Sequence, residues 1–441
     1  MKQESFTYEE NRTGNFREPW RVFRIMSEFV EGYQLLSRHT NAVTILGSAR
    51  TKKTSPLIRE AYRLGHLLGE HGYTTLTGGG PGIMEAANHG AMDAGGNSIG
   101  LNIQLPFEQQ INPYVKTSIA FSYFFTRKVM LTAPSRAFVV FPGGYGTMDE
   151  LFEILDHIEL GYSSQVPVIL VGRAHWQELL RCLEKAAVHR VGVISPKQLQ
   201  RMQIVETAKE AFQIIQKNDG SASACELSPL HFVEGSQMNW QIFRIMAELV
   251  EGYEFLTGIV DDVTVLGSRK VKVKSPYYTA ARELGERLAQ DGHVTVTGGG
   301  AGITEAANIG AESAGGRSIG IGLKSFPLNK HVKEGVQFRF PFIRKHILMA
   351  PSKAYVCFPG GFGTLHQLFE VLTLQQTRKM VRMPIILYDR AFWKPFIQFM
   401  EKQMCGEQRA IAREDLNLFH VVDTVDDAMR FMNDARSERK K

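Results

Sequence analysis

Residues 137–150 read Ala137-Phe-Val-Val-Phe141 followed by Pro142-Gly-Gly-Tyr-Gly-Thr-Met-Asp-Glu150. The apolar run predicts a buried strand, and the proline and glycines after it predict a tight turn. Thr147 and Glu150 have the spacing of a capping box ahead of an amphipathic run, which predicts the start of a helix. In such a unit, backbone N–H groups and the positive end of the helix point at one place, where a phosphate can bind.

The same stretch occurs a second time, as Phe358-Pro-Gly-Gly-Phe-Gly-Thr-Leu-His-Gln367, with glutamine in place of the glutamate. The repeat extends well beyond this turn. Residues 20–36 and 240–256 are identical at 11 of 17 positions, at an offset of 220. A chain of 441 residues is also too long for one ordinary core. The sequence therefore predicts a tandem duplication.

Short apolar strands alternate with helical segments in each copy, which predicts an α/β fold made of two Rossmann-like domains with doubly wound parallel sheets. In the first copy the predicted strands are 42–46, 73–76, 98–103, 137–141 and 166–171, the last of which is expected to close the sheet. The predicted organisation is an N-terminal arm (1–18), a domain with the intact motif (19–216), a linker (217–238), a domain with a degenerate motif (239–435) and a basic tail (436–441).

Composition narrows the class of protein. The 44% hydrophobic content suits a soluble globular protein, and no apolar run approaches the roughly 18 residues of a membrane span. The polar N-terminus does not resemble a signal peptide, so a cytoplasmic protein without a membrane partner is expected. The four scattered cysteines contain no C-x-x-C pair, which argues against disulfides and a zinc site, and no metal is expected. The net charge of +6 fits small anionic ligands and is too weak to indicate nucleic acid.

Three glycine-bearing turns, 47–50, 77–82 and 142–147, follow strands of the first copy. Ligands of open parallel sheets bind beyond the carboxyl ends of the strands, so we expect the turns to converge on a phosphorylated ligand. The alternative is that they are tight turns and nothing more. The triple glycine does not fit G-x-G-x-x-G and no Walker lysine follows it, which excludes dinucleotide and P-loop sites. The expected phosphate or nucleotide ligands are Gly47, Ser48, Arg50, Gly78, Gly79, Gly80, Gly82, Gly143, Gly144, Gly146 and Thr147.

Glu150 and Arg127 are the candidate catalytic residues. A carboxylate in a phosphate site is electrostatically unfavourable unless it has a use, and cleavage of a glycosidic bond supplies one, because it can activate water or stabilise an oxocarbenium ion. Glu150 could instead be only the capping partner of Thr147, a role that Gln367 would also fill. Arg127 could hold phosphate or ribose oxygens or stabilise charge in the transition state, or it could lie on a solvated helix face, as we expect for Lys128 and Lys345.

Aromatic residues near these motifs could stack on a base. The candidates are Phe124, Phe125 and Tyr145, although core packing is the interpretation we favour for each.

Together, Gly78-Gly-Gly-Pro-Gly-Ile-Met84, Arg127-Lys128 and Pro142-Gly-Gly-Tyr-Gly-Thr-Met-Asp-Glu150 resemble the LOG family of nucleoside 5′-monophosphate phosphoribohydrolases. The resemblance covers nearly all of both copies. It implies hydrolysis of the N-glycosidic bond to free base and ribose 5-phosphate without a cofactor, with Arg127 and Glu150 as the catalytic pair and the glycine turns and Thr147 as phosphate-binding loops. The family has long been labelled lysine decarboxylase, but the sequence contains no recognisable pyridoxal-phosphate site.

The second copy departs from the family pattern. Its site would consist of Arg344, Gly360, Gly361, Gly363, Thr364 and Gln367, so the glutamate is missing. Thr304 also replaces the methionine, and the loop before the central turn is three residues shorter. We expect this copy to be catalytically inactive and structural or regulatory.

Because family members are homodimers with sites near the subunit interface, the resemblance implies an intramolecular pseudo-dimer, with room for further homo-oligomers. Two rival interpretations stay open. One is a non-catalytic nucleotide-binding or sensing protein. The other is a binder of single-stranded nucleic acid, which would need a basic groove lined by aromatic residues that the sequence does not show.

Overall fold

The computed structural model describes residues 19–39, 41–105, 111–162, 166–218, 237–350 and 352–438. The predicted arm, nearly all of the predicted linker and the end of the predicted tail lie outside these residues. We call residues 19–218 the first half and residues 237–438 the second half. Each half contains one seven-stranded, all-parallel sheet with helices on its faces, which confirms the predicted α/β class and the two Rossmann-like domains.

The first half has the strand order β4-β3-β2-β1-β5-β6-β7. Its strands are β1 Ala42–Leu46, β2 Thr74–Thr77, β3 Asn97–Ile103, β4 Thr117–Phe121, β5 Ser135–Val140, β6 Val168–Val171 and β7 Met202–Val205. Its helices are α1 Pro19–Leu36, α2 Pro56–Glu70, α3 Ile83–Asp93, α4 Phe124–Thr132, α5 Tyr145–Leu160, α6 Arg173–Leu183, α7 Pro196–Leu199 and α8 Ala208–Lys217, with a π-helical turn at Glu184–Arg190.

The second half repeats this topology, with the order β11-β10-β9-β8-β12-β13-β14. Its strands are β8 Asp262–Leu266, β9 Val294–Thr297, β10 Ser318–Leu323, β11 Glu334–Phe338, β12 Ala354–Cys357, β13 Ile385–Tyr388 and β14 His420–Val422. Its helices are α9 Gln237–Leu256, α10 Pro276–Gln290, α11 Ile303–Ser313, α12 Pro341–Met349, α13 Phe362–Gln376, α14 Arg390–Phe399 and α15 Val425–Glu438, with a π-helical turn at Met400–Glu407 and a 3₁₀ segment at Arg413–Leu418.

Two strands per half were not predicted. β4 lies in the segment that the sequence suggested was a polar loop, and its residues are mostly exposed because it forms the edge of the sheet. β7 pairs with β6, so the expectation that residues 166–171 close the sheet is wrong. In addition, α15 continues to Glu438, so the first three residues of the predicted tail are helical.

The two halves pack closely along α5 and α13. Phe152 of α5 stacks on Phe369 of α13, with 5.6 Å between ring centroids. Phe125 of α4 stacks on Phe342 of α12 at 6.2 Å. Because these rings are all nearly or fully buried, one continuous apolar core extends from the first sheet to the second. None of the helices in the described ranges has the combination of length and apolar character that crossing a bilayer requires.

Candidate functional site

The three glycine turns of the first half meet at one edge of the sheet, as predicted. They follow β1, β2 and β5, which are neighbours in the order β2-β1-β5. The turn after β1 joins the other two, because the Ser48 amide donates to the Pro142 carbonyl at 3.2 Å and the Ile83 amide donates to the Ser48 carbonyl at 3.2 Å. The strand order reverses between β1 and β5, which is where ligands of doubly wound sheets bind.

The turn after β2 is fixed by a buried polar network. Thr77 donates to Asn88 Oδ1 at 2.7 Å and accepts from the Gly79 amide at 2.9 Å. Asn112 donates to the carbonyl of Gly80 at 3.0 Å. Gly79 and Gly82 have φ values of +71° and +70°, so glycine is needed at both positions. These hydrogen bonds and glycine conformations together define the shape of the turn.

The helix that follows the central turn begins earlier than expected. Gly144 is the N-cap of α5 and no side chain caps the helix. Thr147 lies within the first turn with its hydroxyl against Gly143, and Glu150 lies in the second turn. The predicted capping box is therefore wrong, because the glycines already provide the extended entry to the helix. Glu150 has no capping role, and the N–H groups of the first turn point out of the helix end.

Glu150 instead faces Arg127 of α4, with 3.4 Å between Glu150 Oε1 and Arg127 Nη1. The two side chains are only 15% and 11% exposed, so Arg127 does not lie on a solvated helix face. The Arg127 Nε donates to the Leu101 carbonyl at 2.8 Å, and its guanidinium touches Gly78, where any Cβ would collide with it. Burial raises the pKa of Glu150, and the charge of Arg127 opposes that rise. The turn after β2 thus connects directly to the Arg127–Glu150 pair.

The remaining predicted residues surround this pair with different degrees of exposure. Arg50 is exposed, and its Nη1 donates to the Ala410 carbonyl of the second half at 3.4 Å. Gly144 approaches the same carbonyl, since an ideal Cβ on Gly144 would lie 2.9 Å from the oxygen. A segment of the second half therefore covers the central turn of the first. All the predicted first-half residues lie on this edge: Gly47, Ser48, Arg50, Gly78, Gly79, Gly80, Gly82, Arg127, Gly143, Gly144, Gly146, Thr147 and Glu150.

Two of the three aromatic candidates belong to the core. Tyr145 is fully buried and donates its hydroxyl to the Asp415 carbonyl at 3.2 Å. Phe125 is buried against the second half. The favoured interpretation of core packing is confirmed for both, and half-buried Phe124 stays a candidate for contact with a base.

The corresponding residues of the second half have nearly the same geometry. Arg344 Nε donates to the Ile321 carbonyl at 2.9 Å, and its guanidinium touches Gly298. Thr364 lies against Gly360, and Gly361 is the N-cap of α13. Gln367 is half-buried in the place of the glutamate, and Gly363 lies in the first turn of the helix. The arginine and the turns are thus preserved, but this half has no carboxylate of its own at that position.

The lysines beside the two arginines form a buried charge cluster between the halves. Lys128 lies 2.6 Å from Asp149 and 3.6 Å from Glu153, and Lys345 lies 3.2 Å from Glu153. The expectation that these lysines are solvated is wrong, because Lys128 is buried against Asp149 and Glu153 of α5, and Lys345 is buried against Glu153 of the opposite half. Burial lowers the pKa of Lys128, but the neighbouring carboxylates outweigh it and raise the pKa. Sequence reasoning missed this cluster, although Asp149 and Glu153, four residues apart and so on one face of α5, are a signal for it.

A family model described as "Possible lysine decarboxylase" matches residues 84–215 and 289–432, more than half of the chain. The chain belongs to this family, the LOG family. The two matched segments fall in the two halves, as a tandem duplication of a LOG domain requires.

Curated LOG relatives align with about half of the chain. Cytokinin riboside 5′-monophosphate phosphoribohydrolase LOG3 of Arabidopsis thaliana is 26% identical over 211 residues, 47% of this chain and 93% of that protein. The LOG4 enzyme of the same plant is 28% identical over 201 residues, 45% of this chain and 88% of that protein. Among solved structures, the molybdenum cofactor binding protein of Rippkaea orientalis aligns with 40% of this chain and 95% of its own, at 24% identity and a TM-score of 0.31.

Proposed function

We propose that this protein is a nucleoside 5′-monophosphate phosphoribohydrolase whose first half is active. The observation that carries the proposal is the buried Arg127–Glu150 pair at the meeting point of three glycine turns. The names of the LOG relatives, which describe hydrolysis of cytokinin riboside 5′-monophosphates, support the same reaction class.

The geometry suggests a role for each part of the site. The N–H groups at the start of α5 and in the turns bind the 5′-phosphate, as helix N-termini and glycine loops do. Water adds to C1′ of the ribose while the N-glycosidic bond breaks, and the electron pair of that bond leaves with the base, which takes up a proton. The Glu150 carboxylate accepts the proton of the attacking water or stabilises the positive charge at C1′. Arg127 holds Glu150 in place and binds ligand oxygens.

The second half has a supporting role in this proposal. Its Gln367 cannot accept a proton from water. Ala410 and Asp415 of this half contact Gly144 and Tyr145 of the central turn. The two halves act as an intramolecular pseudo-dimer, in which the second half completes and covers the active site of the first. This half is therefore structural or regulatory.

Release of free base from a panel of nucleoside monophosphates tests the proposal. Glu150→Gln copies Gln367 into the first half and is expected to lower base release by about 10²–10⁴-fold while nucleotide binding persists. Glu178→Gln makes the same chemical change at a glutamate whose side chain is 44% exposed and should release base like the wild type. If neither the wild type nor Glu150→Gln releases base but both bind nucleotide, the protein is a sensor, the alternative that Gln367 favours for the second half.

A further inference from the structure

Helices α5 and α13 each extend from their own site toward the site of the other half. An ideal Cβ on Gly146 in the first site would lie 3.7 Å from Thr373 Cγ2 of α13. An ideal Cβ on Gly363 in the second site would lie 2.8 Å from Asp156 Oδ1 of α5. Asp156 and Thr373 are equivalent positions of the two copies, as are Gly146 and Gly363, at the offset of 217. Each site is therefore flanked by the same helix position of the opposite half.

The residues at these positions differ in a reciprocal way. The first site has its own carboxylate, Glu150, and is flanked by the neutral Thr373. The second site has the neutral Gln367 and is flanked by Asp156. In the first half Glu150 faces Arg127, and in the second half the charge of Asp156 acts on Arg344. Both sites thus combine one arginine with one carboxylate, and α5 provides the carboxylate in both.

We propose that the second half holds a second binding site for a nucleoside monophosphate, in which Asp156 of the first half supplies the carboxylate that Gln367 lacks. This inference rests on the proposed function, because it transfers the ligand class of the first site to the second. Beyond the proposed function, the second half binds a ligand of its own, and a residue of the first half forms part of that binding site.

The second site has the same preformed frame as the first. Asn329 donates to the Gly300 carbonyl at 3.0 Å and to Asn308 at 3.0 Å, which repeats the polar network around Gly80. Gly299 and Gly302 have φ values of +68° and +70°, like their first-half counterparts. Packing also requires glycine here, since a Cβ on Gly302 would lie 2.5 Å from the Ser268 carbonyl oxygen, and the turn therefore keeps the shape of its first-half counterpart.

Asp156 lies against Gly363 of the second site, and its charge acts on Arg344. Burial and the neighbouring Glu159 raise the pKa of Asp156 to about 7, and the charge of Arg344 opposes that rise. The Asp156 side chain is 21% exposed, and its Oδ2 lies 3.6 Å from His366 Nδ1. Burial and the nearby lysines hold the pKa of His366 well below its usual value, so this histidine is neutral and the arginine is the cationic partner. A carboxylate accepts hydrogen bonds from ribose hydroxyls and attracts a guanidinium through its charge. The uncharged amide of Gln367 lacks that charge.

A second acid from α5 reaches the same site. Glu159 lies 3.0 Å from Lys270, the residue equivalent to Arg50 at the offset of 220, and Lys270 also donates to the Val193 carbonyl at 3.0 Å. The position equivalent to Glu159 on α13 is Gln376, which is neutral. The first half therefore contributes two acidic residues to the second site, Asp156 and Glu159.

Calorimetric titration with AMP tests the proposal in the Glu150→Gln chain, in which turnover at the first site is removed. We expect two AMP molecules per chain. Added Arg127→Ala and Arg344→Ala substitutions assign the two binding events to the first and second sites. Asp156→Thr, which installs the residue of the equivalent α13 position, should weaken the Arg344-dependent event by about tenfold or more, and Asp156→Asn should do the same with less change in volume.

Three outcomes would overturn the proposal: a single AMP per chain, no effect of either Asp156 variant on the Arg344-dependent event, or tighter binding. Tighter binding would show that Asp156 repels the phosphate and keeps the second site empty. Thermal unfolding of each variant checks that it is folded. Base release by the wild type reports separately on the first site, so failure of the proposed function can be told apart from failure of this inference.

Discussion

Arg127 and Glu150 lie on different helices, and the guanidinium and the carboxylate face each other at 3.4 Å with little exposure to solvent. The pair has two opposed effects on the glutamate. Burial favours the protonated carboxyl and raises its pKa, whereas the arginine favours the carboxylate. The pH dependence of base release therefore shows which protonation state of Glu150 reacts.

We expect base release to fall on the acid side at a pH above 4.5, the ordinary pKa of glutamate, because the reactive form is the carboxylate and its pKa is raised. Arg127→Met removes the charge that opposes this rise, so the acid limb should move to higher pH. The pH profile of kcat for both proteins checks this. An acid limb that stays in the same place in Arg127→Met would contradict it, even if the rate itself falls.

The charge cluster between the halves leads to a prediction about stability. Lys345 is buried between Glu153 and Glu370, at 3.2 and 3.3 Å, and also contacts His366. Lys345→Met leaves two buried carboxylates with less compensation, which should cost about 3–5 kcal/mol in the free energy of unfolding. Urea unfolding measures the loss.

Lys333→Met is the matched control, since Lys333 is exposed and pairs with Glu312, which is only half-buried. We expect little change there. Equal destabilisation by both substitutions would mean that the buried cluster contributes no more than a surface pair.

The contact between the second half and the central turn of the first half can be tested at two glycines that have the same backbone conformation. Gly144 and Gly361 have φ values of −93° and −92° and ψ values of −157° and −155°. A Cβ at Gly144 would lie 2.9 Å from the Ala410 carbonyl oxygen, whereas at Gly361 the nearest atom, the Val193 carbonyl oxygen, is 3.4 Å away. Gly144→Ala should therefore cost about 1–3 kcal/mol in stability and lower base release, and Gly361→Ala should be tolerated.

Thermal unfolding and base release are the two measurements. If Gly144→Ala is as well tolerated as Gly361→Ala, the second half does not pack closely against the first site in solution. That result would argue against the pseudo-dimer arrangement on which the proposed function depends.

Local signals made much of the fold and of the first site predictable. The strand before Pro142 and the glycine turn after it are encoded within a few residues, and the repeat places the same unit in the second half. The convergence of the three turns follows from the parallel topology, which alternating strands and helices indicate. The edge strand β4 was missed because its residues are mostly exposed and lack an apolar pattern.

Contacts between the halves could not be predicted in the same way. Whether Lys128 is solvated or buried depends on where α12 and α13 lie, and that is a property of the packed pair. The capping box failed for a local reason, since Gly144 starts the helix three residues before Thr147. A position-by-position comparison of the copies would have drawn attention to Asp156 and Thr373, because a charged residue in one copy corresponds to a neutral residue in the other.

A last prediction concerns Asp262, a buried carboxyl at the start of β8 in the position that Ala42 occupies in the first half. Its Oδ2 has no hydrogen-bond partner within the described part of the chain. Burial raises the pKa of Asp262 from 3.8 to about 7 in the folded protein. The folded state therefore holds this proton more tightly than the unfolded state, and its stability falls as pH rises from about 4 to about 7.

Asp262→Ala removes this titration and should be more stable than the wild type at pH 8, by up to about 4 kcal/mol if the whole shift is expressed. The difference in the free energy of unfolding should shrink on going down to pH 4, where the wild-type carboxyl is protonated in both states. Other buried acids such as Asp149 and Asp156 are present in both proteins and cancel in the difference. Asp262→Asn keeps the volume, and Asp291→Asn provides an exposed control. A difference that is the same at pH 4 and pH 8 would show that Asp262 is not held protonated by burial.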